Sequence, residues 1–236
     1  MTRPAFSLVV PLHNEAENIA ILQQEIRSAL AGHEYEVLLV DDGSTDGTAQ
    51  AIERTPEVRV ITFPRKAGQS AALAAGIRRA RGAAIVLLDG DLQNDPRDIP
   101  ALLAAVERGC DLACGVRVDR RDPPGKKLSS VIANCLRRAV LGDGLRDSGC
   151  ALKAMRRECA DALVPFAGMH RFIPALAINA GFRIAEIPVH HRPRRHGRSK
   201  YGLRNRVVAA AVDLLGVRWL QARRLDLGAA QEDPGR

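Results

Sequence analysis

The sequence predicts an α/β fold in which a mostly parallel sheet is flanked by helices, and three observations predict it. Apolar runs of strand length alternate with segments of helical period through the first half of the chain. Each apolar run there ends in a polar turn that carries Gly or an acidic residue. Hydrophobic residues make up 46% of the 236 residues but aromatic ones only 3%, which speaks against an all-β lectin or a base-stacking platform.

The first half reads β-α-β-α-β-α-β. Phe6 to Pro11 is a strand and Glu15 to Leu30 a helix; Val37 to Val40 is the next strand and Thr45 to Glu53 a short helix. Val58 to Phe63 follows as a strand, then the Ala-rich helix Gly68 to Arg81, which Gly82 stops, and the buried strand Ala84 to Leu88. In open α/β sheets ligands sit beyond the carboxyl ends of the strands. The turns Leu12 to Glu15, Asp41 to Gly47, Arg65 to Gln69 and Asp89 to Gln93 are therefore expected to meet at one crevice.

The second half is less regular. Asp95 to Arg108 is a helix with Pro96 near its start and Gly109 at its end, and Asp111 to Val116 is a strand. A basic loop from Arg117 to Gly125 leads to a helix from about Lys126 to Leu141, a Gly-rich turn over Asp143 to Ala151, and a helix near Arg156 to Leu163. A loop to His170, a helix to Ala180 and a short strand Arg183 to Val189 complete this part. Residues 1–206 are expected to form one catalytic domain, and 207–236 an amphipathic helix with a polar tail.

Lys and Arg number 35 against 27 acidic residues, a formal charge of +8 that points to an anionic partner: nucleic acid, a membrane surface or a phosphorylated substrate. Between Arg192 and Arg206 there are seven basic residues and no acidic one. Cys110, Cys114, Cys135, Cys150 and Cys159 match no zinc spacing and no small-domain disulfide framework, so reduced thiols are expected. The N-terminal apolar run is broken by Pro11 and His13, too soon for a signal peptide. The late apolar stretch Val207 to Val217 spans eleven residues and contains Asp213, whereas a membrane span needs about 20 apolar residues. That segment, with Trp219 and Arg218, Arg223 and Arg224 after it, suits an interfacial helix or one packed on the catalytic domain.

Asp89 and Asp91 lie two residues apart beyond a buried strand. Such carboxylates can hold a hard divalent cation that neutralises a diphosphate, or form no more than a solvated acidic turn. Asp41 and Asp42 exceed what capping of the next helix by Ser44 or Thr45 requires, and a carboxylate there can accept hydrogen bonds from a base or ribose. His13 can stack on a base or be merely structural.

Taken in order, Pro11 to Glu15, Val40 to Thr48, Gly68 to Gly76 and Leu88 to Pro96 resemble the successive motifs of family 2 glycosyltransferases with the GT-A fold. Gly115 to Arg117, Arg146 to Cys150 and Glu186 to Tyr201 resemble the polyprenyl-phosphate hexosyltransferase branch, similar to dolichol-phosphate mannose synthase. The resemblance covers roughly residues 6 to 220.

The resemblance implies that Pro11, His13 and Glu15 contact the nucleotide, His13 standing where Tyr is common. It implies that Asp41 and Asp42 hold base or ribose with Gln69 nearby. Asp89, Asp91 and Gln93 match the metal and diphosphate motif, with Gly90 in place of the commoner Ala, and Mg²⁺ or Mn²⁺ is the implied cofactor. Arg117, Lys126, Ser130 and Arg194 fall where relatives grip the acceptor phosphate, Lys126 replacing the usual Arg. Ser199 and Lys200 belong to the loop that closes over the donor.

Asp89, Asp91, Arg117 and Arg194 are then the expected catalytic set. The implied reaction is inverting transfer of a hexosyl unit from GDP-mannose or a UDP-hexose to a polyprenyl phosphate, at the cytoplasmic membrane face, by a peripherally attached enzyme that is possibly helped by a membrane protein partner. The acceptor phosphate is already an anionic nucleophile and needs no general base; the protein must hold two anions together and stabilise the leaving diphosphate. Transfer to a hydroxyl acceptor of a lipid or glycan is the alternative, with Asp147 as the candidate base. A nucleotide- or nucleic-acid-binding module is weaker, since the basic residues lack aromatic interleaving and acidic turns repel a phosphate backbone.

Overall fold

The computed structural model describes residues 4–118, 134–193 and 203–223, the last segment with side chains from residue 209. A seven-stranded sheet has the order β3-β2-β1-β4-β6-β5-β7. Its strands are β1 (Phe6–Leu12), β2 (Tyr35–Asp41), β3 (Val58–Thr62), β4 (Ala84–Leu87), β5 (Leu112–Arg117), β6 (Lys153–Arg156) and β7 (Ile184–Val189). All pairings are parallel except those of β6, which runs antiparallel to both β4 and β5. The fold is GT-A-like, as the order of elements predicts.

Alternation along the strands sends apolar side chains to both faces. Phe6, Leu8, Val10 and Leu12 of β1 join one core with helices α1 (Ala16–Ala29) and α4 (Ile99–Glu107). Val9 of β1 and Leu38 and Val40 of β2 join the other, with α3 (Gln69–Arg79) and, from the second half, α6 (Arg157–Asp161), α7 (Ile173–Asn179) and α8 (Leu203–Ala222). Burial on both faces explains the nearly unbroken apolar strands. Gly76 lets α3 lie close on the sheet, because a Cβ there would run into Val9.

Several boundaries differ from expectation. The helix expected at Thr45 to Glu53 shrinks to α2 (Thr48–Ala51), and neither Ser44 nor Thr45 caps it; its cap is Gly47, at φ +87°. The helix expected from Asp95 divides into a 3₁₀ turn (Pro96–Asp98) and α4. Only 134–141 of the helix expected from Lys126 lies within the described residues; it is α5. Strand β6 was not expected at all. Lys153, a buried lysine that donates to the Cys150 carbonyl, interrupts its apolar run.

All five cysteines are free thiols, and burial pushes those of Cys114 and Cys159 up to about 12. Helix α8 packs Leu214 and Val217 against the domain, while Val212, Leu215 and Trp219 are exposed. Among the described residues no helix is long and apolar enough to cross a membrane.

Candidate active site

The order β3-β2-β1-β4 reverses direction of winding at β1, and the ends of β1, β2 and β4 open there into one cavity of about 630 Å³. The turn after β1, Asp42, the entry to α3 and the Asp89–Asp91 turn form one wall; the segment 165–171 forms the other.

The first two turns hold each other. Asn14, in the left-handed region at φ +53°, donates its N–H to Ser44 Oγ, and its side chain accepts from the Thr45 N–H. Asp46 accepts from the N–H groups of Ala16 and Thr48, so it serves the starts of α1 and α2 together. His13 Nδ1 lies 2.8 Å from the Asp42 carbonyl; a carbonyl only accepts, so Nδ1 carries the proton. The Asp42 carboxylate accepts from the N–H groups of Ala67 at 2.6 Å and Gly68 at 2.9 Å, fixing the entry to α3. Glu15 lines the cavity and accepts from Asn18 Nδ2.

The acidic turn follows β4. Leu92 sits in the left-handed region at φ +60° with its side chain fully buried in the core, and this reversal leaves Asp89, Gly90 and Asp91 lining the cavity. Gln69 Nε2 donates to Asp89 Oδ1 at 2.8 Å. A Cβ on Gly90 would lie 2.5 Å from Leu12 Cδ2, which accounts for glycine in place of alanine. Among the described residues no group of three His, Cys, Asp or Glu side chains is placed to hold a metal. Two carboxylates facing a cavity fit a cation that arrives with its substrate and takes its remaining ligands from phosphate and water, as Mg²⁺ does.

Pro11, His13, Glu15, Asp42, Gln69, Asp89, Gly90 and Asp91 thus line one cavity. Asp41 and Gln93 do not. Asp41 is buried and accepts from the Ser44 N–H. Gln93 is turned to Arg192, its backbone carbonyl accepting from the Arg192 N–H at 2.8 Å. Arg117 lies elsewhere on the sheet, at the end of β5, where its guanidinium makes two hydrogen bonds to Asp147 at 2.7 and 2.8 Å. Lys126, Ser130, Arg194, Ser199 and Lys200 lie outside the described residues.

Sequence reasoning missed Lys66, Ser70 and the wall 165–171, which brings His170 and Arg171 to the cavity. The available signal was Gly168, which stands at φ +98° with the Asp213 carboxylate of α8 where a Cβ would be.

The glycosyl transferase family 2 model matches residues 7–163. Dodecaprenyl-phosphate galacturonate synthase of Rhizobium johnstonii is 40% identical over 222 residues, covering 89% of this chain and 65% of its own length. Undecaprenyl-phosphate 4-deoxy-4-formamido-L-arabinose transferase of Pseudomonas fluorescens is 38% identical over 203 residues, 83% of this chain and 59% of its own. The chain therefore spans somewhat under two thirds of the length of these relatives. Among solved structures, glucosyl-3-phosphoglycerate synthase of Mycobacterium tuberculosis, in complex with Mn²⁺, UDP-glucose and glycerol 3-phosphate, superposes with a TM-score of 0.68 over 95% of this chain and 82% of its own. At 20% identity that likeness concerns the fold.

Proposed function

The chain belongs to glycosyl transferase family 2, and on that premise we propose that it transfers a sugar, with inversion, from a nucleotide-sugar to a polyprenyl phosphate. The observation that carries this reading is the asymmetry of the cavity. One wall bears Asp89 and Asp91; the other, 165–171, bears His170 and Arg171 and no carboxylate. A hydroxyl acceptor needs a base, whereas a phosphate monoester brings its own anionic oxygen. Asp147, the one base candidate for the hydroxyl reading, is instead taken up in a two-point ion pair with Arg117. The names of both relatives, a galacturonate synthase and a formamido-arabinose transferase, carry a polyprenyl phosphate and favour that acceptor here.

In this reading an acceptor phosphate oxygen attacks the anomeric carbon, the bond from that carbon to the diphosphate breaks, and the electron pair leaves with the nucleoside diphosphate. Asp89 and Asp91 would hold Mg²⁺ or Mn²⁺, which when bound supplies positive charge to the departing diphosphate. Gln69 keeps the Asp89 carboxylate in place. Pro11, His13, Glu15 and Asp42 would surround the nucleotide. Arg117, held in orientation by Asp147, would meet the acceptor phosphate together with Arg194, guanidinium being suited to two-point phosphate contact.

Residues 1–206 are proposed as the catalytic unit and 207–236 as the attachment to the cytoplasmic membrane surface. Exposed Val212, Leu215 and Trp219, with Arg223 5.8 Å from the Trp219 ring, suit a helix lying at headgroup level.

The test is incubation of the protein with Mn²⁺ or Mg²⁺, a short polyprenyl phosphate and a panel of GDP-mannose, UDP-glucose, UDP-galactose and UDP-galacturonate, with products read by mass. The expected result is one glycolipid that retains a single phosphate and disappears with chelator. Absence of any glycolipid across the panel would overturn the reading.

A further inference from the structure

Helix α3 begins with two residues that reach opposite walls of the cavity. Gln69 fixes Asp89, and the next residue, Ser70, is tied to His170 on the facing wall. Ser70 is buried, and its Oγ has three partners: the N–H of Gly168 at 3.1 Å, the N–H of His170 at 3.4 Å and His170 Nδ1 at 2.8 Å. A serine hydroxyl has two lone pairs and one proton. Both backbone groups can only donate, so they occupy the lone pairs and the hydroxyl proton is left for Nδ1. The Nδ1 atom must then be the acceptor, and a neutral imidazole carries its proton on Nε2.

The segment that bears His170 is fixed from behind as well. Met169 is buried, Phe172 and Phe166 stack at 6.3 Å between ring centroids, and Arg171 lies 3.7 Å from Asp213 of α8. His170 is therefore a held imidazole with a set tautomer, on a cavity wall that faces two carboxylates.

We propose that His170 is a donor-binding residue that gives its Nε2–H to an oxygen of the nucleotide-sugar, and that Ser70 is the positioning residue that sets this tautomer. The assignment rests on the cavity being the donor site. A neutral hydrogen-bond donor at that wall recognises a sugar hydroxyl or a diphosphate oxygen without adding a full charge to a cavity that must also release an anionic product.

Binding of the nucleotide-sugar and of the nucleoside diphosphate alone, by calorimetry with Mn²⁺ on the full chain, tests the proposal against His170→Ala, His170→Gln, His170→Asn and Ser70→Ala. A Gln amide nitrogen stands close to Nε2 and an Asn amide nitrogen close to Nδ1. His170→Ala and His170→Asn are expected to weaken nucleotide-sugar binding about tenfold, and His170→Gln less than about threefold. Loss seen equally with the diphosphate alone assigns the contact to the diphosphate; loss seen only with the sugar attached assigns it to the sugar. Long-range ¹⁵N spectra of the wild type, with His170 assigned by its absence from the Gln variant, should show the Nε2–H tautomer, and Ser70→Ala should lose it.

An Nδ1–H tautomer in the wild type, or binding unchanged in His170→Ala, overturns the proposal even if a substitution unfolds another variant. Failure of the wild type to bind any nucleotide would instead sink the donor-site reading beneath it.

Discussion

Asp91 and Asp89 were legible in the sequence because they follow a strongly apolar strand, and the reversal at Leu92 turns them to the cavity. Asp91→Ala should cut metal-dependent transfer by about a thousandfold with little change in thermal unfolding, since its role is to hold charge at the departing diphosphate. Full activity in that variant would remove the metal role. Arg117 and Asp147 act as one unit, so Arg117→Ala and Asp147→Asn should each raise the KM for polyprenyl phosphate about tenfold and leave that for the donor within about twofold. A base role for Asp147 would instead abolish turnover with both KM values unchanged. Asp95 offers a pH test. Burial would raise its carboxyl, but hydrogen bonds from Arg97 and Arg192 outweigh burial and hold it well below the usual carboxylate range. A depressed carboxylate contributes stability above its unfolded pKa of about 4 and loses it as pH falls. Urea unfolding should find Asp95→Asn less stable than wild type by about 2 kcal/mol at pH 7, with the gap closing between about pH 4 and pH 2. Ser70 and His170 were not legible, because their roles come from a contact across 100 residues of chain.

At the scale of elements, the first four strands and the helices α1 and α3 could be read almost to the residue, since each is a local apolar pattern closed by Gly or a polar turn. Strand β6 escaped because its stability comes from two antiparallel neighbours, which tolerate Lys153 in the sheet by satisfying its ammonium at the Cys150 carbonyl. The 165–171 wall escaped because α8 supports it from far along the chain. That support has a direct check. Gly32 and Gly168 both have positive φ, but a Cβ at Gly32 meets nothing within 4 Å while one at Gly168 collides with Asp213. Gly168→Ala should therefore cost about 1 kcal/mol more than Gly32→Ala in chemical denaturation. Equal costs would mean that α8 does not brace the wall.

Over the whole molecule, the acidic turns gather at the ends of β2 and β4 and the basic run begins at Arg192, so the net charge of +8 is unevenly spread along the chain. That distribution, with the exposed apolar residues of α8, predicts association with anionic liposomes that weakens as salt rises and weakens further in Trp219→Ser. Salt-independent binding would point to a different attachment. The sheet order and the convergence of turns followed from pattern alone, because parallel strands buried on both faces leave their carboxyl ends as the place for a ligand. The acceptor is the claim on which the account turns, and it is tested by offering the enzyme, with donor and Mn²⁺, a polyprenyl phosphate and the matching unphosphorylated polyprenol side by side. Product should form from the phosphate alone; glycosylation of the polyprenol at a comparable rate would contradict a site that works without a base.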